Sequence, residues 1–249
     1  MGFDRFVNVV FPSVHNLRKK VILNNYIKED FTYYPDSKVL CVLCPPWHIS
    51  RATTTIVRHT LRRYKYSYLT YDINPDFLSP DYMNTKKYLK EIINKIQTDI
   101  QKYDKKYKFI DIHIVGFSFG SLYAINVANR NKKISKVILI TIGNSIADCL
   151  YDSISTYEMR DILEEQGISK QKYNNILKEF NPEENISNLK NKDIRIIISR
   201  KDQVIRYKYG LKLIQKMRKK GINPQVVDNQ NQGHYGTNIK FLLHPNKFL

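Results

Sequence analysis

The chain has 249 residues, with 41 Lys and Arg against 23 Asp and Glu, for a formal net charge of +18 at pH 7. Hydrophobic residues make up 42% and charged residues 26%, which excludes a disordered or collagen-like chain. With 9 Gly and 9 Pro there is no room for long linkers, and one α/β domain over residues 1–249 is expected rather than two.

The N-terminal MGFDRFVNVVF lacks a basic region leading into a clean apolar run, so no secretory signal is expected. Phe6 stands where a myristoylation signal wants Ser or Thr. Arg5–Pro12 and Lys20–Tyr26 read as strands with no helix between them, an expected antiparallel edge. Lys38–Cys44 is a short apolar run stopped by Pro45-Pro46, as a buried strand should be. Its Cys41 and Cys44 spell C-x-x-C, but residues three apart on a strand point to opposite faces. No second Cys/His pair follows at zinc spacing. These two cysteines and Cys149 are therefore expected to be structural, with no metal and no cofactor.

Ala52–Arg63 reads as a helix and Tyr66–Asn74 as a strand. Tyr82–Tyr103 carries Leu89, Ile92, Ile93, Ile96 and Ile100 at helical spacing, with polar residues opposite. Phe109–Val115 is the next strand; His113 alternates with Ile112 and Ile114 inside it and reads as structural. It runs into GFSFG and a helix-like SLYAINVANR. Lys136–Ile142 and Ile194–Ser199 are further buried strands. Tyr207–Lys219 is a helix and Pro224–Asp228 a last short strand before the GHYG turn. Strands separated by helices imply a mostly parallel sheet covered on both faces. Ala147–Asn191 interrupts this rhythm; it is polar and helix-prone, and reads as a small helical lid (residues 147–191) over one sheet edge. The longest apolar stretches are far shorter than the roughly 20 residues of a spanning helix. A soluble, cytoplasmic chain is expected.

The strongest chemical signal is Gly116-Phe117-Ser118-Phe119-Gly120, after a strand and before a helix. A nucleophile on a tight strand–turn–helix corner needs small residues two before and two after it, which Gly116 and Gly120 supply. Here the chain resembles the α/β-hydrolase family, whose chain order is nucleophile, acid, histidine. Asp202 follows the strand IRIIIS in SRKDQVI, and His234 follows the last strand in NQGHYG. The resemblance covers roughly residues 38–235. It implies a three-layer α/β-hydrolase fold, with helices on both faces of a mostly parallel central sheet. It also implies Ser118 as nucleophile, His234 as base and Asp202 as orienting acid. Asp148, after KVILITIGNSIA, is the alternative acid, since some family members carry it there. His15, His59 and His244 have no partner pattern around them.

One oxyanion donor should be the backbone N–H of Phe119. The loop that normally supplies the second is here Cys44-Pro45-Pro46-Trp47-His48. Proline has no N–H, so Trp47 is the candidate. Losing one such donor costs about 10²–10³ in rate. That motivates the alternative of a catalytically weak or inactive relative that binds a ligand or partner. The leading reading is a serine hydrolase acting on a small-molecule carboxylic ester or thioester. Trp47, Phe117 and Tyr123 surround the site in sequence and suggest an apolar acyl pocket, with a core role as the alternative for Phe117 and Tyr123. The basic residues are scattered and lack a nucleic-acid fingerprint, so no specific nucleic-acid partner is expected. A solvated Lys-rich surface is the first explanation of the charge. Weak attraction to anionic membrane surfaces or anionic substrates is the second.

Overall fold

The computed structural model describes residues 26–47, 59, 63 and 65–243. Seven apolar or alternating stretches form strands: β1 (Ile27–Thr32), β2 (Val39–Cys44), β3 (Ser67–Ile73), β4 (Asp111–Phe117), β5 (Ile134–Ile140), β6 (Asp193–Ser199) and β7 (Gln225–Asn229). They join in one sheet in the order β1-β3-β2-β4-β5-β6-β7. Every pairing is parallel except β1 with β3, which is antiparallel. The central strands are buried on both faces, as a parallel sheet requires.

Among the described residues the antiparallel edge is Ile27–Thr32. Apart from Tyr26, the expected strand Lys20–Tyr26 lies outside the described residues, as does Arg5–Pro12. The edge strand reads IKEDFT and is only partly buried, so it tolerates three charges that a central strand would not. Of the expected helix Ala52–Arg63, only His59 and Arg63 are described, both helical.

Helix α1 (Tyr82–Tyr107) runs four residues beyond the expected Tyr103. It begins at Asp81, whose side chain accepts from the Asn84 N–H, and ends at Lys108 in the left-handed conformation. Its apolar stripe is fully used: Leu89, Ile92, Ile93 and Ile96 are all 0% exposed. The remaining helices are α2 (Phe119–Arg130), α3 (Ile146–Tyr151), α4 (Tyr157–Glu165), α5 (Lys170–Leu177), α6 (Tyr207–Lys219) and α7 (His234–Leu243).

Strand alternation sorts the core into two layers. Leu40, Val42, Leu69, Ile112, Ile114 and Ile196 face the side covered by α1, α2 and α6. Cys41, Leu43, Val115, Ile138 and Ile140 face the other side, where Phe241 of α7 packs. Cys41 and Cys44 thus fall on opposite faces, and both are free thiols. Burial pushes the Cys41 thiol up to about 12 and that of Cys44 higher still. Helices on both sides of a seven-stranded, mostly parallel sheet make a three-layer α/β-hydrolase fold.

The 147–191 segment holds most of α3 and all of α4 and α5, followed by two short 3-10 turns. Its Leu150, Met159, Leu163, Tyr173, Leu177 and Phe180 continue the larger core layer. Asn126 of α2 fastens it by donating Nδ2 to the Phe180 carbonyl at 2.8 Å. Among the described residues no helix is long and apolar enough to cross a membrane.

Truncating a stripe residue should expose how much the fold leans on α1. Leu89→Ala is expected to lower stability by about 2–5 kcal/mol. The loss should appear as a lower urea midpoint with an unchanged slope.

Candidate active site

The corner between β4 and α2 is set by backbone geometry. Ser118 has φ 51° and ψ −121°, a conformation that costs an L-residue on the order of 1–3 kcal/mol. It is held there by its N–H, which donates to the Ile140 carbonyl at 2.8 Å. Gly116 and Gly120 allow the fold-back. A Cβ on Gly116 would lie 2.4 Å from Ser121 Cα, and one on Gly120 would lie 2.2 Å from the Cys44 carbonyl oxygen. Ser121, fully buried, sits 2.8 Å from the Gly116 carbonyl and 3.0 Å from that of Ile140, so its hydroxyl ties the corner to β5.

The structure brings Ser118, His234 and Asp202 together. His234 Nε2 lies 2.8 Å from Ser118 Oγ, and His234 Nδ1 lies 2.8 Å from Asp202 Oδ2. A carboxylate only accepts, so in the neutral ring Nδ1 carries the proton and Nε2 is free to accept from the serine hydroxyl. The second carboxylate oxygen, Oδ1, accepts from the Val204 and Ile205 N–H groups at 2.9 and 2.7 Å. Asp202 and His234 are each 6% exposed, which shields the pair from water.

A second set of side chains, absent from the sequence-based candidates, holds the histidine turn. Asn238 donates Nδ2 to the His234 carbonyl at 2.8 Å and to Thr141 Oγ1 at 3.2 Å. Thr141 itself has φ 53° at the end of β5, and its N–H donates to Ile197 O at 2.8 Å. Asn229 reaches Gln232 Oε1 and Thr237 Oγ1, both at 2.9 Å, and Ser199 bonds the Gln232 carbonyl. No local pattern announces such long-range bonds.

Asp148, the alternative acid, is engaged elsewhere. Lys170 Nζ lies 2.8 Å from its carboxylate and Asn144 Nδ2 3.0 Å. Burial works against its ionised form, but those two partners prevail and hold its carboxyl below the usual range.

Of the expected pocket aromatics, two are core. Phe117 is 4% exposed and packs edge-on against Phe241 at 5.5 Å, because strand alternation turns it to the face opposite α2. Tyr123 is 2% exposed, with Phe77 and Phe119 against its ring. Trp47 is half-buried and donates its indole N–H to the Pro75 carbonyl at 2.8 Å, which fixes the loop after β2. That loop touches the serine corner through the close approach at Gly120. Phe119 opens α2. His113 sits at the opposite strand ends, 8% exposed, with Nε2 at 3.1 Å from Asp111. Burial lowers its basicity, which fits a structural role. Among the described residues no three His, Cys, Asp or Glu side chains are grouped to hold a metal ion.

The sequence profile of the prolyl oligopeptidase family matches residues 85–244, the stretch that contains Ser118, Asp202 and His234. The chain belongs to the prolyl oligopeptidase family. It is a serine hydrolase of the α/β-hydrolase type. No curated protein sequence matches this family member. Among solved structures it is similar to an acylaminoacyl peptidase from Pyrococcus horikoshii, with TM-score 0.65 and 10% identity over 90% of this chain. The match covers 41% of that protein, so this chain spans less than half its length. It is also similar to Est1E from Butyrivibrio proteoclasticus, solved with ferulic acid bound, with TM-score 0.58 and 15% identity over 89% of this chain and 91% of the other. A Pyrococcus furiosus esterase matches with TM-score 0.60 and 15% identity over 89% and 87%. At such identities the likeness is one of fold.

The corner offers a direct structural test. Gly120→Ala is expected to cost about 1–3 kcal/mol or more, because the new methyl meets backbone atoms that cannot yield. Gly236→Ala meets only the flexible Gln232 side chain and should leave thermal unfolding nearly unchanged. Equal melting of the two variants would mean the corner does not depend on this close approach.

Proposed function

We propose that Ser118 is the nucleophile of an acyl-transfer reaction that hydrolyses a carboxylic ester or thioester. The observation that carries this reading is the unbroken chain from Ser118 Oγ to His234 to Asp202, with both links at 2.8 Å. Ser118 Oγ attacks the substrate carbonyl while its proton passes to His234 Nε2. Asp202, fixed by its two backbone N–H bonds, holds the imidazole orientation and stabilises the imidazolium. The N–H groups of Phe119 and Trp47 receive the developing oxyanion. His234 returns the proton to the leaving group. Water, deprotonated by the same nitrogen, then releases the acid from Ser118.

The intact hydrogen-bond chain favours catalysis over the ligand-binding alternative. A second reading, cleavage of the amide bond of a short peptide, draws on the family match over residues 85–244. The same groups would serve it, and parallel assays with aryl esters and peptide amides separate the two.

A fluorophosphonate probe mapped by peptide mass spectrometry should label Ser118, and the label should vanish in Ser118→Ala. Absence of labelling on folded protein would overturn the reading. The acid assignment has its own test. Asp202→Asn is expected to reduce kcat by about 10⁴, because the imidazole would be held in the wrong tautomer. Asp148→Asn, which loses its carboxylate contacts with Lys170, Lys212 and Asn144, should keep most of the turnover. The reverse ranking would reassign the acid.

A further inference from the structure

Beside the acid loop lies an open cleft of about 450 Å³, walled by Tyr151–Ile154 on one side and by Tyr157, Arg160 and Arg206 on the others. It adjoins both supporting members of the Ser–His–Asp set. The Ile154 N–H donates to the carbonyl of Gln203, the residue after Asp202, at 3.4 Å. Tyr235, the residue after His234, stands edge-on to the histidine ring at 5.4 Å. The cleft therefore flanks the loops that carry Asp202 and His234.

Its charge is uneven. The Asp152 carboxylate is matched by Lys170 and Lys208, each at 3.2 Å, and by the Tyr209 hydroxyl. Arg160 is paired with Asp161 at 2.7 Å. Arg206 differs: its Nε donates to the Asp152 carbonyl oxygen at 3.0 Å, and among the described residues no carboxylate lies in ion-pair reach of it. The guanidinium is thus tethered by a neutral acceptor with its charge unanswered. Next to it, Ile154 and Tyr157 stand 57% and 51% exposed, a small apolar wall in an otherwise polar lining.

We propose that this cleft binds a carboxylate carried by the substrate, with Arg206 as the specificity-determining residue, so that the preferred substrates are esters bearing a free carboxylate on an apolar body. The inference rests on Ser118 being the nucleophile. One free guanidinium presents a planar fork that matches the two oxygens of a carboxylate. A phosphate dianion would call for more than the single unmatched cation present. The apolar wall suits a hydrocarbon or aryl spacer between the carboxylate and the scissile ester.

The carboxylate could sit on the acyl half or on the leaving group, and substrate pairs distinguish them. Mono-p-nitrophenyl glutarate against p-nitrophenyl butyrate tests the acyl half; 4-acetoxybenzoate against phenyl acetate tests the leaving half. In one pair the wild type should prefer the anionic ester. Arg206→Gln should cut the anionic-to-neutral ratio of kcat/KM by about tenfold or more, acting on KM rather than kcat. Arg206→Lys, keeping the charge without the fork, should fall between, and rising salt should erode the preference. A ratio unchanged by Arg206→Gln in both pairs overturns the proposal while leaving the hydrolase reading standing. If no ester turns over, the hydrolase reading fails separately. The cleft is then judged by calorimetric titration of Ser118→Ala with monomethyl glutarate and with 4-hydroxybenzoate. Binding of either that is lost when Arg206→Gln is added supports the cleft, and absence of binding by both overturns it.

Discussion

The carbonyl oxygen of Ile140 is the fixed point of the molecule's chemistry. It accepts the Ser118 N–H at 2.8 Å and lies 2.7 Å from the Thr141 hydroxyl and 3.0 Å from that of Ser121. Ser118 adopts a backbone conformation that is unfavourable for any residue with a Cβ. Such strain persists only where the surroundings over-determine it. Here β5, the buried Ser121 hydroxyl and the two glycine approaches remove the alternatives. The strand carrying that carbonyl is itself buried and paired on both sides, so the anchor cannot yield.

From this corner the parallel sheet does the rest by direction alone. Ser118 follows β4, Asp202 follows β6 and His234 follows β7, so three residues far apart in sequence emerge at one edge. Topology only brings them near; angstrom placement comes from the loops. Asp202 is clamped by backbone N–H groups two and three residues onward, a short-range device written in its own loop. His234 is held by a longer-range one, since Asn238 spans from its carbonyl to Thr141, the residue after β5. The serine and histidine are therefore both referenced to the end of β5.

This division explains what a reader of the sequence can and cannot see. Strands such as β5 and β6 are legible because burial on both faces leaves a core of consecutive apolar residues, VILI in one and III in the other. The Ser118 corner is legible because tight backbone contact admits little besides glycine. The edge strand β1 is not: Lys28, Glu29 and Asp30 are tolerable only because that strand is partly exposed, and exposure is a tertiary fact. Nearness in sequence also misleads. Phe117 adjoins Ser118 yet packs under α7, since one step along a strand reverses the side chain. Ser121, Thr141 and Asn238 act through partners across the fold, and nothing in their neighbourhoods signals it.

The excess of 41 basic over 23 acidic residues acquires meaning only locally. Exposed charges more than about 8–10 Å away are largely screened at physiological salt, so most surface lysines contribute little at the site. What counts is which acids remain to neutralise the nearest cations. Asp202 is occupied by His234 and two amides, Asp148 by Lys170, and Asp152 by Lys170, Lys208 and Tyr209. Those partners overcome burial and hold the Asp152 carboxyl at about 2, so it stays ionised and committed at neutral pH. Among the described residues no carboxylate lies in ion-pair reach of Arg206, so an anionic group entering the cleft meets attraction that none of those carboxylates has already used.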